Sequence, residues 1–377
     1  MAVLAVAALS ARVMAEAAAN DGFEVIALDL FGDADTRRAS SQWLPIGETA
    51  EMRIDPERVL PALQAMARRG DVTGWVAGGG FDGLPDLLEQ GDIALPLLGT
   101  APSAVRRVRD PAEFFGFLAA QGIAHPEVRH TPPPDTDGWL LKDALGSGGW
   151  HIRRAAAQGG GAAPDHHYYQ REMAGTPMSA TFIANGHEAC VLGFNELIVR
   201  RVGSRPFVYC GVVGPVPLPA GVAARLTAAL RALVAEFSLR GLGSLDFMLD
   251  GEDFGVLEIN PRAPASLFLY GRCSEHGVIG AHVRACLQGE LPQPASTPPQ
   301  AIMGSEIVFA RQPLALGAQA SQGLAARAET HDLPAAATAF EAGDPVCSVS
   351  ASGAHAAQVK QRLEAARDAL LHDLETA

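Results

Sequence analysis

Lysine is nearly missing from this chain: only Lys142 and Lys360 stand among 29 basic residues, the rest being arginine. A lysine kept against that bias invites a chemical explanation. Basic charge as a whole is also in deficit, since 42 acidic residues leave a formal net charge of −13. Such a surface does not neutralise phosphates, which excludes nucleic acid as the main partner. Charged residues make up only 19% while hydrophobic ones reach 48%, which rules out disorder and provides a large buried core. No apolar run approaches the ~20 residues needed to span a bilayer, so a soluble chain with no membrane partner is expected. The start, MAVLAVAALSARVMAEAA, imitates a secretory signal but has no basic leading region and carries Arg12 and Glu16 close behind its apolar stretch. It is expected to be a buried strand followed by a helix. Paired cysteines are missing too. Cys190, Cys210, Cys273, Cys286 and Cys347 occur singly and odd in number, which fits reduced thiols in a cytoplasm. The histidines, His166 and His167 included, show no zinc spacing with cysteine.

What is present begins as a β-α-β rhythm. Apolar runs at Val3 to Leu9, Glu24 to Leu30 and Trp75 to Ala77 alternate with helical stretches at Ala11 to Ala19 and Pro56 to Arg69. This is the pattern of a parallel sheet with helical crossovers. In such sheets ligands sit beyond the carboxyl ends of the strands, and there the chain places Asp29, Asp33 and Asp35. They are candidates for contacting a polar ligand, with helix capping and a solvated turn as the alternative. Gly78-Gly79-Gly80 follows the third run without GxGxxG spacing. After a helix around Asp110 to Gln121 the pattern changes to antiparallel strands and hairpins. Loops are expected at Thr131 to Pro134 and Gln158 to Pro164, a linker at Leu291 to Gln300, and a final helix at Ala357 to Thr376.

Two constellations carry chemistry. Lys142 precedes Gly146-Ser147-Gly148-Gly149, and Trp150 and Ile152 then alternate with His151 and Arg153. A Walker loop has its lysine after the glycines and a helix behind it. The geometry here reads as strand, glycine loop, strand: a hairpin whose bare amides fold over phosphates while Lys142 supplies a point charge, or else an ordinary glycine-rich turn. The second constellation is Asp246 in one strand and Glu258 and Asn260 in the next, around the turn signal Gly251-Glu252-Asp253. Residues two apart share a face. With the turn centred on Glu252, Asp246 lies opposite Glu258, and two facing carboxylates repel unless a cation bridges them. Two carboxylates and an amide oxygen are hard ligands suited to Mg²⁺. Pro261 stops the strand and sets Arg262 beside the proposed metal, where a guanidinium holds a phosphoryl or acyl group. A third piece, Gln170-Arg171-Glu172-Met173 before Gly175, can present backbone groups to an adenine edge.

The order of lysine and glycine loop, QREMxG strand, and Asp followed by ExNPR resembles the ATP-grasp superfamily over roughly residues 100 to 290. The resemblance implies a mixed α/β and α+β chain: a Rossmann-like preATP-grasp domain at 1–98, an ATP-grasp domain at 99–290 and a small strand-rich C-terminal unit with a final helix at 291–377. It implies that Lys142 and Gly146 to Gly149 hold ATP phosphates, that Gln170 to Met173 line the adenine pocket, and that Asp246, Glu258 and Asn260 bind two Mg²⁺ ions, with Mn²⁺ as an alternative. Arg262 would stabilise an acyl phosphate. Pro177, Met178 and Ser179 stand where many members have a ribose-binding carboxylate, and Arg107 or Arg109 where many have a further lysine. The implied activity is ligation of a small carboxylate to an amine, with a homodimer as one possible assembly. A carboxylase activating bicarbonate and a non-catalytic nucleotide-binding protein are the alternatives. SARVMAEAAANDGFEVIALDLFGDADT and DPVCSVSASG are similar to tyramine-glutamate ligases of methanofuran synthesis, which implies a role in one-carbon cofactor biosynthesis.

Overall fold

The computed structural model describes residues 1–155, 165–293, 301–335 and 338–376. The glycine- and alanine-rich loop expected at Gln158 to Pro164 and most of the proline-rich linker, residues 294–300, lie outside the described residues. The first strands form a parallel sheet in the order Gln42–Pro45, Glu24–Asp29, Val3–Ala7, Val72–Ala77. Every residue of Val3–Ala7 is buried, as expected of a central parallel strand covered on both faces. The helix Arg12–Asn20 runs into Gly22, whose φ of 89° lets the chain reverse without a Cβ penalty. The helix Pro56–Arg69 begins with proline in its first turn, behind an Asp55 cap that accepts from the Glu57 amide, and stops at Gly70.

A second, antiparallel sheet of four strands follows: Val128–Arg129, His167–Arg171, Trp139–Asp143, Arg153–Arg154. The hairpin around the glycine loop is therefore present, but its return strand is only Arg153–Arg154. Trp150 and Ile152 lie outside it, contrary to the alternation read from sequence. The largest sheet has eight strands, running from Asp253–Asn260 and Arg240–Asp250 through Thr176–Asn185, Ala189–Val202 and Arg205–Gly214 to Ile302–Phe309, Pro345–Gly353 and Thr330–His331. Three C-terminal strands thus extend the central sheet, while two others, Leu314–Ala315 and Ala339–Phe340, pair with each other in a small sheet of their own. Ile302–Phe309 pairs with Arg205–Gly214.

The helix Ala220–Phe237, absent from the elements expected from sequence, covers one face of this sheet. It buries Val222, Leu226, Leu230, Leu233, Val234 and Phe237 against Phe182, Phe247 and Ile259. Each such side chain contributes roughly 1.5 to 3 kcal/mol of transfer free energy. The helix Gly277–Gln288 packs on Arg12–Asn20, and the last helix, Ala356–Thr376, on Ile302–Phe309 and Pro345–Gly353. Between the small sheet and the large one lies a cavity of about 1310 Å³ that extends to the carboxyl ends of the parallel strands. Among the described residues no helix is long and apolar enough to cross a membrane.

Candidate active site

The paired carboxylates owe their position to a compensated register. The turn between their strands is Gly251-Glu252 alone, since Asp250 pairs with Asp253. Continued without interruption, that register would set Asp246 opposite Leu257. A bulge intervenes: Phe247 pairs with Val256 and Asp246 with Glu258, so Leu257 is the extra residue. The facing pair expected from sequence is present, reached by a tighter turn plus a bulge. Asn260, opposite Ser244, directs its amide Nδ2 at Asp246 Oδ2 (3.1 Å), Ser244 Oγ (3.3 Å) and Glu258 Oε1 (3.5 Å). Its oxygen accepts from Arg262 Nη2 at 3.4 Å. The sequence reading assigned Asn260 an oxygen ligand. Here its N–H groups moderate the carboxylate repulsion, and half a turn of the amide exchanges the two roles.

Burial and the charge of Glu258 push Asp246 up to about 7. Burial works the same way on Glu258, but Arg109, Lys142 and His151 outweigh it and hold that carboxyl ionised. Two half-buried oxygen donors that retain a proton between them suit a hard divalent cation, which favours the doubly ionised form. The residues present therefore fit Mg²⁺ or Mn²⁺. Among the described residues no group of three or more His, Cys, Asp or Glu is assembled for a metal.

Lys142 reaches this site from the strand Trp139–Asp143, where it pairs with Tyr168 while Leu140 pairs with Gln170. Leu140, Lys142 and Gln170 all line the cavity. Lys142 is 4% exposed, and its ammonium makes no hydrogen bond among the described residues. Burial lowers its pKa although Glu258 and Asp246 pull the other way. The glycine loop beyond it is docked on the large sheet: Tyr209 N–H donates to Gly148 O at 2.9 Å. At Gly149, φ is +75° and a Cβ would meet Phe207 O at 1.8 Å, so only glycine allows this approach. Arg109 holds the base of the loop. Its Nη2 donates to Ala144 O and Gly146 O, both at 2.6 Å, and its Nη1 lies 3.8 Å from Glu258. Arg107, the other candidate, is at the surface with Glu113 and Glu236.

The adenine segment needs a narrower assignment than the sequence allowed. The Arg171 amide donates to Glu127 O and the Glu172 amide to Gly138 O, both at 2.8 Å, so neither N–H is free for a base. The Arg171 side chain donates to Asp137 O, and the Glu172 carboxylate takes both Arg154 nitrogens at 2.6 and 3.1 Å. Among the described residues the groups of this segment without a partner include the buried Gln170 Nε2, the Met173 amide and the Glu172 carbonyl. Met173 lies across Gly255, where a Cβ would come within 2.5 Å of its thioether.

Arg262 is half-buried beside Asn260, and its Nε lies 3.1 Å from both oxygens of Asp82. Asp82 is fully buried. Although burial raises its pKa, Arg262 and Arg109 bring it below the ordinary value. Sequence reasoning missed Asp82, although it stands two residues beyond the Gly78 to Gly80 run that drew attention.

Of the three N-terminal carboxylates, only Asp33 lines the cavity. Asp29 accepts from the amides of Ala11 (3.0 Å) and Gly32 (2.9 Å) and from Trp43 Nε1 (2.7 Å). Asp35 accepts from the amides of Asp332 (2.7 Å) and Leu333 (3.1 Å). Those two brace the backbone, and the expectation that all three face a ligand narrows to Asp33.

A family model described as the ATP-grasp domain matches residues 108–266. A comparison with curated proteins finds no match. Among solved structures the chain is similar to a biotin carboxylase–β,γ-ATP complex from Campylobacter jejuni, with TM-score 0.70 and 13% identity over 98% of this chain and 95% of that one. It is likewise similar to an L-amino acid ligase from Bacillus licheniformis, with TM-score 0.67 and 14% identity over 99% and 98% of the two chains. A third is carboxyaminoimidazole ribonucleotide synthase from Aspergillus clavatus complexed with ATP, with TM-score 0.68 and 15% identity over 98% of each chain. At these identities the likeness is one of fold. Together with the domain match it establishes that this chain has the ATP-grasp fold, with mixed α and β content, and carries an ATP-grasp domain.

Proposed function

We propose that the protein is an ATP- and Mg²⁺-dependent ligase that joins a small carboxylate to an amine through an acyl phosphate. The observation that carries this reading is the convergence on one cavity of Lys142, the docked glycine loop, the facing Asp246 and Glu258, and Arg262. Lys142 and the loop amides bind ATP phosphates. Gln170 and Met173 take the adenine edge. Asp246, Glu258 and Asn260 would hold two divalent ions, which when bound neutralise the charge of the transferred phosphoryl group. Arg109 keeps the loop base and Glu258 in register. Arg262, oriented by Asp82, faces the acceptor carboxylate and stabilises the charge that develops there during phosphoryl transfer and amine attack. The closed glycine loop excludes water from the activated acid.

The solved structures of similar fold include proteins named as a carboxylase, a synthase and an L-amino acid ligase, and the last name supports this reading. The likeness of the two terminal stretches to tyramine-glutamate ligases supports a narrower role in one-carbon cofactor synthesis. The test is an ADP-release screen of the purified protein with Mg·ATP against a matrix of amino acids and amines, with mass spectrometry of products. ADP formed only when an acid and an amine are both present, together with an amide of their summed mass less water, is the expected result. ADP release with bicarbonate and no organic acid would identify a carboxylase instead.

A further inference from the structure

Past the glycine loop the cavity continues into a cleft where the N-terminal sheet meets the C-terminal unit. Its walls there include Ser10 and Arg12 at the start of the first helix, Asp33 after the second strand, and His331, Asp332 and Phe340 from the C-terminal unit. The two sides are fastened together: the Ala34 amide donates to Leu333 O at 2.9 Å, and Asp35 accepts from the Asp332 and Leu333 amides. Arg12 is the shared cation. It donates to Asp332 at 2.7 and 3.2 Å and to Glu16 at 2.8 Å, and lies 3.6 Å from Asp35. One guanidinium thus serves three carboxylates by contact and leaves a fourth, Asp33, without a partner among the described residues.

Asp33 occupies the capping position of the helix Ala34–Arg38, where an aspartate ordinarily accepts from the first-turn amides, yet it makes no such bond. It makes no side-chain hydrogen bond at all among the described residues, is 6% exposed, and lines the cavity. Burial first, then Asp332, Asp29 and Asp35, push its carboxyl up to about 8, with Arg12 opposing. The other groups of this surround are Glu16 on the first helix, His331 beside Asp332, and Cys347 on the strand behind. A buried carboxyl in this condition gains its charge when a cation arrives. A divalent metal does not suit it. The oxygens of Asp35 and Asp332 are committed to backbone amides and Arg12, so a single carboxylate remains, too few oxygens for such an ion. An ammonium group, compact and with three donors, does suit it.

We propose that Asp33 anchors the ammonium group of a primary amine in this cleft, between the N-terminal sheet and the C-terminal segment 331–335. That the amine is the second substrate rests on the ligase reading above; the binding does not.

The test uses the full chain without nucleotide and n-butylamine as the probe, with n-butanol as its uncharged counterpart, by titration calorimetry on the wild type, Asp33→Asn and Asp33→Glu. Wild type should bind butylamine at least ~10-fold more tightly than butanol. Asp33→Asn should bring that ratio to about one with ATP affinity unchanged, and Asp33→Glu should keep the preference. No preference for the amine in the wild type, or an undiminished preference in Asp33→Asn, overturns the anchor. A protein that prefers butylamine but releases no ADP with any acid and amine overturns the ligase reading alone. One that ligates with the same amine KM in Asp33→Asn overturns the anchor alone.

Discussion

Asp82 and Arg262 stand 180 residues apart in sequence, yet Arg262 Nε lies 3.1 Å from both carboxylate oxygens of Asp82. The first comes from the loop after the last parallel strand, the second from the end of the strand that carries Glu258 and Asn260. The pair joins the N-terminal sheet to the end of the cavity lined by Asp246, Glu258 and Asn260. Removing one partner of a buried ion pair strands the other charge and typically costs ~3 to 5 kcal/mol. Asp82→Asn should accordingly lower the urea midpoint, and it should also reduce kcat more than it raises the KM for ATP. A double variant, Asp82→Asn with Arg262→Met, should recover stability without activity. Denaturant titration beside steady-state kinetics reads both. An Asp82→Asn enzyme with unchanged kcat would show that Arg262 needs no orientation.

The two carboxylates of the hairpin should respond differently to neutralisation. Asp246 retains its proton up to about 7, so Asp246→Asn should change the stability of the metal-free protein by less than ~1 kcal/mol. Glu258 neutralises Arg109 and Lys142, and Glu258→Gln should destabilise by more. Either substitution should abolish Mg²⁺-dependent ADP formation. Thermal melts without metal, followed by ADP assays with it, separate the two effects. Equal melting losses would contradict the asymmetry.

Lys142→Ala should weaken ATP binding by ~10-fold or more while leaving the fold intact, because Arg109, 3.8 Å from Glu258, still faces that carboxylate when the ammonium is gone. Lys142→Arg should rescue poorly, since a planar guanidinium does not replace a compact ammonium in a buried slot. Calorimetric titration with Mg·ATP gives both affinities. Wild-type affinity in the alanine variant would remove Lys142 from the nucleotide site.

Much of this site was legible because its parts are local. Lys142 and the glycines share one hairpin, and Asp246, Glu258 and Asn260 follow the two-residue period of facing strands. The pairing of Asp246 with Glu258 was legible even though the turn was misjudged, because the bulge at Leu257 restored the register that the shorter turn removed. What stayed hidden depends on distant partners. Nothing near Asp82 in sequence points to Arg262, and nothing near Arg109 distinguishes it from Arg107, since the choice is made by which face of the helix Pro102–Arg109 turns toward the loop base. Asp29 and Asp35 mislead for a related reason. A carboxylate beyond a strand serves a ligand or the backbone, and here their partners are Trp43 and the segment at 332–333. The helix Ala220–Phe237 lay in a stretch read as strands and hairpins.

His282 gives the fold a signature in acid. Its Nδ1 accepts from the Leu242 amide at 2.8 Å and its Nε2 lies 2.9 Å from Leu98 O, which fixes a neutral ring bridging the central sheet and the segment after the parallel sheet. Burial lowers its pKa to about 4, against Leu98. The unfolded chain binds this proton below about 6.5 and the folded one only below about 4. Stability from this residue is therefore fully present above pH 6.5 and lost as pH falls toward 4, by about 3 kcal/mol in all. His282→Gln should flatten the stability profile across that window. An unchanged slope in urea titrations at pH 7, 6 and 5 would assign the acid sensitivity elsewhere.

The central claim is that an acceptor carboxylate attacks the γ-phosphorus of ATP to give an acyl phosphate, from which the amine displaces phosphate. It is tested most directly by following oxygen. The acid identified in the ADP-release screen, labelled with ¹⁸O in its carboxyl group, is converted by the wild-type protein with Mg·ATP and amine, and the inorganic phosphate is analysed by mass spectrometry. An acyl phosphate requires one ¹⁸O in the phosphate for each amide formed, with ADP as the nucleotide product. Unlabelled phosphate, or AMP with label in that nucleotide, would contradict the account.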